Sequence, residues 1–172
     1  MVLLAAFNVL LYRYSGKEDI LVGTAVANRT IPETQDIMGL FMNMIVLRSK
    51  VDGNVKFIDL LQQVKDTALK GFAHQELPFE RLVEELKPKR DLSRNPIFQV
   101  AFIQNVPRTP LETDETVITA ENLYNQGALF DITLYMNETS ENVSYKISLI
   151  LSFFSSLKCL WSIIQHCLME IL

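Results

Sequence analysis

At 172 residues, with 49% hydrophobic and 21% charged side chains, the chain can bury a full single-domain core and has the make-up of a globular protein. Its 16 basic and 20 acidic residues are interspersed and leave a net charge of −4, which excludes a basic face for nucleic acid and a polybasic membrane patch. The two cysteines, Cys159 and Cys167, match no CxxC or Cys/His spacing; this excludes a disulfide framework and a zinc site and fits free thiols in a reducing cytoplasm.

Val2, Leu3, Phe7, Leu10, Leu11 and Tyr14 recur at helical spacing and Ser15-Gly16 supplies a stop, so residues 1–15 read as an amphipathic helix. Without a basic n-region or a small-x-small cleavage site, this is a core helix and not a signal peptide. No capping residue precedes its first apolar turn, and the expectation is that the chain begins inside a larger parent. Asp19 to Ala27 is a short, partly β-branched run that predicts a strand buried on both faces. Asn28 to Asp36, with Pro32, reads as a loop, and Leu40 to Val51 as a second strand ending at the Asp52-Gly53 turn.

From Phe57 the period becomes helical, with Phe57, Leu60, Leu61, Val64, Ala68 and Phe72 on one face. Pro78 interrupts; Phe79, Leu82, Val83 and Leu86 resume a short helix that Pro88 closes. Phe98 to Gln104 predicts a strand, Pro107 to Glu115 a polar loop, and Phe130–Met136 with Val143–Ile147 a hairpin. Strands mixed with helices predict an α/β or α+β fold, a mixed sheet with flanking helices. After Ile147 only Lys158 and Glu170 carry charge; a membrane span over Leu149–Ile171 would have to bury Lys158, Gln165 and His166 and is disfavoured.

Standard enzyme signatures are missing. Gly16-Lys17 lacks the flanking residues of a phosphate loop, with Leu11 and Glu18 in their places, and there is no GxGxxG, GxSxG or HExxH. Three other segments hold polar chemistry. In His74-Gln75-Glu76-Leu77-Pro78-Phe79-Glu80, His74 has no Ser, Cys or Asp spaced to pair with it and reads as structural. Pro78 breaks the helix, Phe79 anchors the break, and Glu80 opens the next helix where a carboxylate favours the dipole. Arg90, Asp91, Arg94 and Asn95, before Pro96, form a dense polar cluster that is either a solvated turn or a set of bidentate Arg pairs. Gly39, Phe41, Asn43 and Arg48 open an apolar strand in which a buried Asn demands partners.

Taken in order, Gly39-x-Phe41-x-Asn43…Arg48, His74-Gln75-x-x-Pro78-Phe79-Glu80 and Arg90-Asp91-x-Ser93-Arg94-Asn95-Pro96 resemble the later part of a nonribosomal peptide synthetase condensation domain. The resemblance runs from Met1 to about Lys146. It implies a half built like one chloramphenicol acetyltransferase protomer, which with an N-terminal half encloses a tunnel. Donor and acceptor enter that tunnel on the phosphopantetheine arms of carrier domains, beside adenylation domains, and join as an amide; no cofactor binds the domain directly. The residues just named are then tunnel or structural positions, with the Arg-Asp cluster organising the site. Met44 replaces the family's Thr, which removes a hydroxyl. The family's catalytic His-His-x-x-x-Asp-Gly run is absent, so the resemblance implies no catalytic residue here, a His74 that is not the base, and a chain inactive alone. A carrier-docking module without catalysis, or a piece of a related epimerisation or cyclisation domain, are the alternatives; the Arg-Asp-x-Ser-Arg-Asn-Pro run favours condensation over the latter. Residues 1–147 are expected to form the subdomain. Residues 148–172 are expected to be an out-of-frame tail, because one codon choice for 158–172, read from its third base, encodes an amphipathic helix. A genuine apolar helix is the competing reading.

Overall fold

A computed structural model describes residues 1–89, 91, 94–105, 111–112, 117–118, 128–138 and 143–150. Arg90, most of the Pro107–Glu115 segment, the turn between the two predicted hairpin strands and the tail from 151 lie outside the described residues.

Helix α1 (Val2–Ser15) ends at Gly16, whose φ of 67° lets its N–H reach Tyr12 O in a left-handed cap. It buries Leu4, Ala5, Phe7 and Leu11. Strands β1 (Asp19–Val26) and β2 (Asn43–Lys50) pair antiparallel over their whole length, from Asp19 opposite Lys50 to Val26 opposite Asn43. The segment between them contains a single 3₁₀ turn, Pro32–Thr34. Helix α2 (Phe57–Ala73) lays Leu60, Val64 and Ala68 on β2 and α1. A Cβ at Gly71 would come within 2.8 Å of Leu47 Cδ2, so this helix seats closely on the strand because Gly71 has none. Helix α3 (Phe79–Leu86) follows, stopped at Lys87 in a left-handed conformation before Pro88.

Strand β3 (Val100–Asn105) runs parallel to β1 and to β6 (Ile132–Glu138), and β6 turns back antiparallel into β7 (Val143–Leu149). The result is a five-stranded mixed sheet in the order β2-β1-β3-β6-β7, with β4 (Leu111–Glu112) and β5 (Val117–Ile118) as a separate two-stranded ladder. Residues Ile20, Val22, Val26, Ile45 and Leu47 meet α1 and α2 on one side of the sheet and form the core with Leu4, Phe7, Leu60 and Val64.

Five expectations change in detail. The second strand starts at Asn43 and not Leu40, because β1 ends at Val26 and offers no partner for 40–42; Leu40 and Met42 are instead 88% and 61% exposed. The first strand is not buried on both faces throughout, since Asp19 and Leu21 face solvent. The third strand starts at Val100, leaving Phe98 buried just outside it. Part of the expected polar loop pairs as β4 with β5, and β7 runs to Leu149, where Ile150 still donates its N–H to Asp131 O.

Candidate functional site

Two of the three polar segments meet at one side chain. Asn43 begins β2 on the side facing the helices, and its Nδ2 donates to Gln75 O at 2.8 Å and Leu77 O at 2.7 Å. Its Oδ1 accepts the N–H of Met44 at 2.9 Å and of Phe79 at 3.2 Å. Two donors and two acceptor positions are all that a carboxamide has, so Asn43 is saturated. It therefore holds the α2–α3 turn to the end of β2 and has no hydrogen-bonding capacity left for a ligand.

The turn itself is built from backbone. His74 caps α2, its N–H reaching Gly71 O, and its carbonyl accepts Leu77 N–H at 3.2 Å. The His74 side chain is exposed and makes no hydrogen bond to any described residue. Pro78 precedes α3 in an extended conformation and its carbonyl takes the first helical N–H groups, from Arg81 and Leu82; Glu80 lies in the first turn. Glu76 Oε1 accepts the Thr30 hydroxyl at 2.7 Å, which ties this turn to the β1–β2 segment.

Arg29 organises that segment. Its guanidinium donates from Nη1 to Thr34 O and from Nη2 to Gly39 O, the latter at 3.3 Å, and lies 4.3 Å from the centre of the Phe41 ring. Gly39 is packed under that ring, where a Cβ would stand 3.3 Å from it. Arg48 is elsewhere, on the opposite face of the sheet, bonded to Asp19 through Nε at 2.8 Å and Nη2 at 2.7 Å. The fork holds the Asp19 carboxyl below its ordinary value and raises Arg48 above its own.

The third segment enters through its aromatic residue. Asp91 O accepts Arg94 N–H at 3.3 Å, and Asn95 O, just ahead of Pro96, accepts Gln99 Nε2 at 3.1 Å. Phe98, 1% exposed, then packs edge-on against Phe79 at 5.6 Å and, tilted by 34°, against Phe130 at 5.1 Å. Its ring fills the place a Cβ of Gly23 would take, 2.2 Å from Cε2. Three stretches far apart in sequence thus converge on Phe98. Asn43, Gln75 and Phe79 are brought together with Phe98, which follows Asn95 and Pro96, and Arg48 is not among them.

Arg29, Gly23 and Phe98 are absent from the residues singled out in the sequence. A glycine inside a strand does signal a close approach, and Gly23 carried that signal. Nothing in the loop spacing marks Arg29.

Beside the turn, Gln75 lines an open cavity of about 570 Å³ at the ends of β1 and β3, with Thr24, Phe72, Phe102, Gln104 and Asn105. No ionisable side chain is among its described lining residues. Among the described residues no group of His, Cys, Asp and Glu could hold a metal, and no helix is long and apolar enough to cross a membrane.

A family model described as "Condensation domain" matches residues 1–168. The chain is 40% identical over 149 residues to tyrocidine synthase 3 of Brevibacillus parabrevis, covering 86% of this chain and 2% of that protein. It is 40% identical over 144 residues to gramicidin S synthase 2 of Brevibacillus brevis, covering 83% of this chain and 3% of that protein. The chain therefore spans only a small part of the curated relatives it matches. A four-domain nonribosomal peptide synthetase bound to AMP and glycine superimposes with a TM-score of 0.85 at 24% identity, over 99% of this chain and 14% of that one. The starter condensation domain of rhizomide synthetase RzmA does so at 0.74 and 21%, over 99% of this chain and 40% of that one. At these identities the structural likeness is one of fold, and the fold agrees with the sequence match: this chain belongs to the condensation domain family of nonribosomal peptide synthetases.

Proposed function

We propose that this chain works as the C-terminal half of a condensation domain, lending tunnel wall and carrier-docking surface to amide-bond formation while supplying no catalytic base. The observation that carries this reading is the Asn43 clamp, which uses the Gly39–Asn43 and His74–Phe79 segments to build a scaffold, with the clamping side chain saturated. The cavity beside Gln75, with no ionisable side chain among its described lining residues, suits a neutral amide- or thioester-bearing chain such as a phosphopantetheine arm, held by thioester carbonyl, amide and methylene contacts. Carrier domains, an adenylation neighbour and the N-terminal half are the partners in this reading, which places the chain in the cytoplasm. The functional unit is residues 1–147, and 148–172 are taken as an out-of-frame tail; a stop codon soon after a frame change near codon 148 of the gene would rule that out.

The base belongs to the other half. Both histidines of this chain, His74 and His166, stand outside any His-His-x-x-x-Asp-Gly run. A positioned base contributes on the order of 10²- to 10⁴-fold in rate. The test is amide formation between donor- and acceptor-loaded carrier proteins. The chain alone is expected to give no product above the protein-free background, and its mixture with an N-terminal half carrying His-His-x-x-x-Asp-Gly is expected to turn over. Turnover by the chain alone, or none by the reconstituted pair, overturns the reading.

A further inference from the structure

The cavity beside Gln75 has two zones. At its mouth stand Gln75, Gln104 and Asn105, whose side chains end in neutral carboxamides; Gln104 and Asn105 are exposed and Gln75 is half-buried. Beneath them the floor is closed and apolar, with Leu4, Leu47 and Ala68 at 4% exposure or less and Thr24 at 7%. The Thr24 hydroxyl and the Gln75 carboxamide make no hydrogen bond to any described residue. Of the described side chains only Asn8 and Asn28 hold an oxygen that is both sealed and unpaired, so the Thr24 hydroxyl opens onto the cavity.

Its place follows from the topology. Strands β1 and β3 run parallel, and the cavity opens at their C-terminal ends, the edge at which such a sheet ordinarily receives a ligand. The volume, about 570 Å³, is that of a small-molecule pocket. What the lining lacks decides what it can hold, because burying a charge without a partner costs far more than burying an alkyl group or a hydroxyl. The chain's α-amino group belongs to Met1, a lining residue that is 48% exposed and so keeps that charge in water.

A carrier arm that enters here lays its amides and thioester against the carboxamides of the mouth and carries its terminal aminoacyl residue deepest. We propose that the floor of this cavity takes the side chain of that residue and admits uncharged side chains only, so that Thr24, Ala68 and Gln75 help determine which aminoacyl groups reach the amide-forming step. The proposal rests on the functional reading above and adds a selectivity which that reading does not contain. The chemistry is the same for a donor or an acceptor residue, and the test separates the two.

The test uses the full chain reconstituted with an N-terminal half carrying His-His-x-x-x-Asp-Gly. A leucyl, arginyl or glutamyl residue is loaded on the acceptor carrier against a fixed donor, and in a second arm on the donor carrier against a fixed acceptor. In one of the two arms the leucyl residue is expected to form amide roughly tenfold or more faster than either charged residue. Gln75→Glu places a carboxylate in the lining and should raise the arginyl-to-leucyl ratio of that arm by roughly tenfold. Gln104→Glu, exposed on the β3 wall, should shift the ratio in the same direction. Gln63→Glu adds the same charge on the exposed face of α2, away from the cavity, and should leave the ratio within about twofold of the parent. Equal rates for all three residues in both arms overturn the inference, as does a preference for the glutamyl residue, which would point to the Met1 ammonium. A ratio unmoved by both cavity variants, or moved as much by Gln63→Glu, overturns it too. A pair that forms no amide with any residue removes the functional reading, and the inference with it.

Discussion

Asn43 Oδ1 accepts the N–H of Phe79 at 3.2 Å, so the first residue of β2 caps the first residue of α3. Helix α3 has no side-chain cap of its own, because its N-cap residue is Pro78. Replacing Asn43 by Ala strips partners from Gln75 O, Leu77 O and Phe79 N at once, and the expected loss is about 1–3 kcal/mol by denaturant unfolding. Asn43→Asp should fall between the two, since a carboxylate can still accept from Phe79 but cannot donate to the carbonyls. An Asn43→Ala chain as stable as the parent would contradict the clamp.

Gly23 and Phe98 form a second obligatory pair. A methyl group at position 23 would lie 2.2 Å from the Phe98 ring, so Gly23→Ala should cost about 1–3 kcal/mol through overpacking. In a Phe98→Leu background the same substitution should cost clearly less, because the ring that it strikes is gone. Equal penalties in both backgrounds, read from a double-mutant cycle, would show that the strain lies elsewhere.

The Arg48–Asp19 fork gives a pH signature. Asp19 is held low first by its hydrogen bond from Arg48; desolvation opposes that bond, and the charges of Arg48 and Lys50 add smaller lowering effects. A carboxyl whose folded pKa is depressed contributes stability above the unfolded value of about 3.9, and loses it as the pH falls through the folded value. Arg48→Met should therefore be less stable than the parent near neutrality, with the two melting curves converging in acid. Both side chains are largely exposed, at 71% and 52%, so high salt should also narrow the difference. A gap that persists in acid would assign the effect to packing of the arginine stem.

Inside the core, Asn8 Nδ2 donates to Ser49 Oγ at 3.0 Å while Asn8 Oδ1 is buried with no partner among the described residues. Ser49→Ala orphans the amide as well and should cost about 1–3 kcal/mol. Adding Asn8→Leu should recover part of that loss, since an apolar pair leaves nothing unsatisfied. A double variant less stable than Ser49→Ala alone would be the contrary result.

What the sequence reveals and what it hides divide along these same residues. Periodicity located α1, α2 and α3 because their apolar residues repeat within one element, as Leu60, Val64 and Ala68 do. A lone Asn in an apolar run announced that Asn43 needed partners, but those partners lie from Gln75 to Phe79 and only the fold brings them near. Arg48 read as part of the same segment, yet the alternation of a strand turns it to the opposite face from Asn43. The start of β2 was set by where β1 stops, a property of the partner strand that no local pattern contains. The Arg94–Asn95 turn was visible as polar punctuation, whereas the role of the neighbouring Phe98 depended on a glycine in another strand.

The strand order also sets a sequence of events for the chain as it folds. β1 and β2 close a nearby loop, and α1 and α2 cover them from adjacent stretches of chain, so this unit can assemble from local contacts. The parallel pairing of Val22 with Val100 must wait until α2 and α3 are in place, and β6 can add only after β3. Until then the strip of β1 around Gly23 is an open slot without its ring. Strand β1 thus gains its second neighbour only when β3 arrives, and a ribosome-bound chain would expose that slot for as long as Phe98 remains unsynthesised.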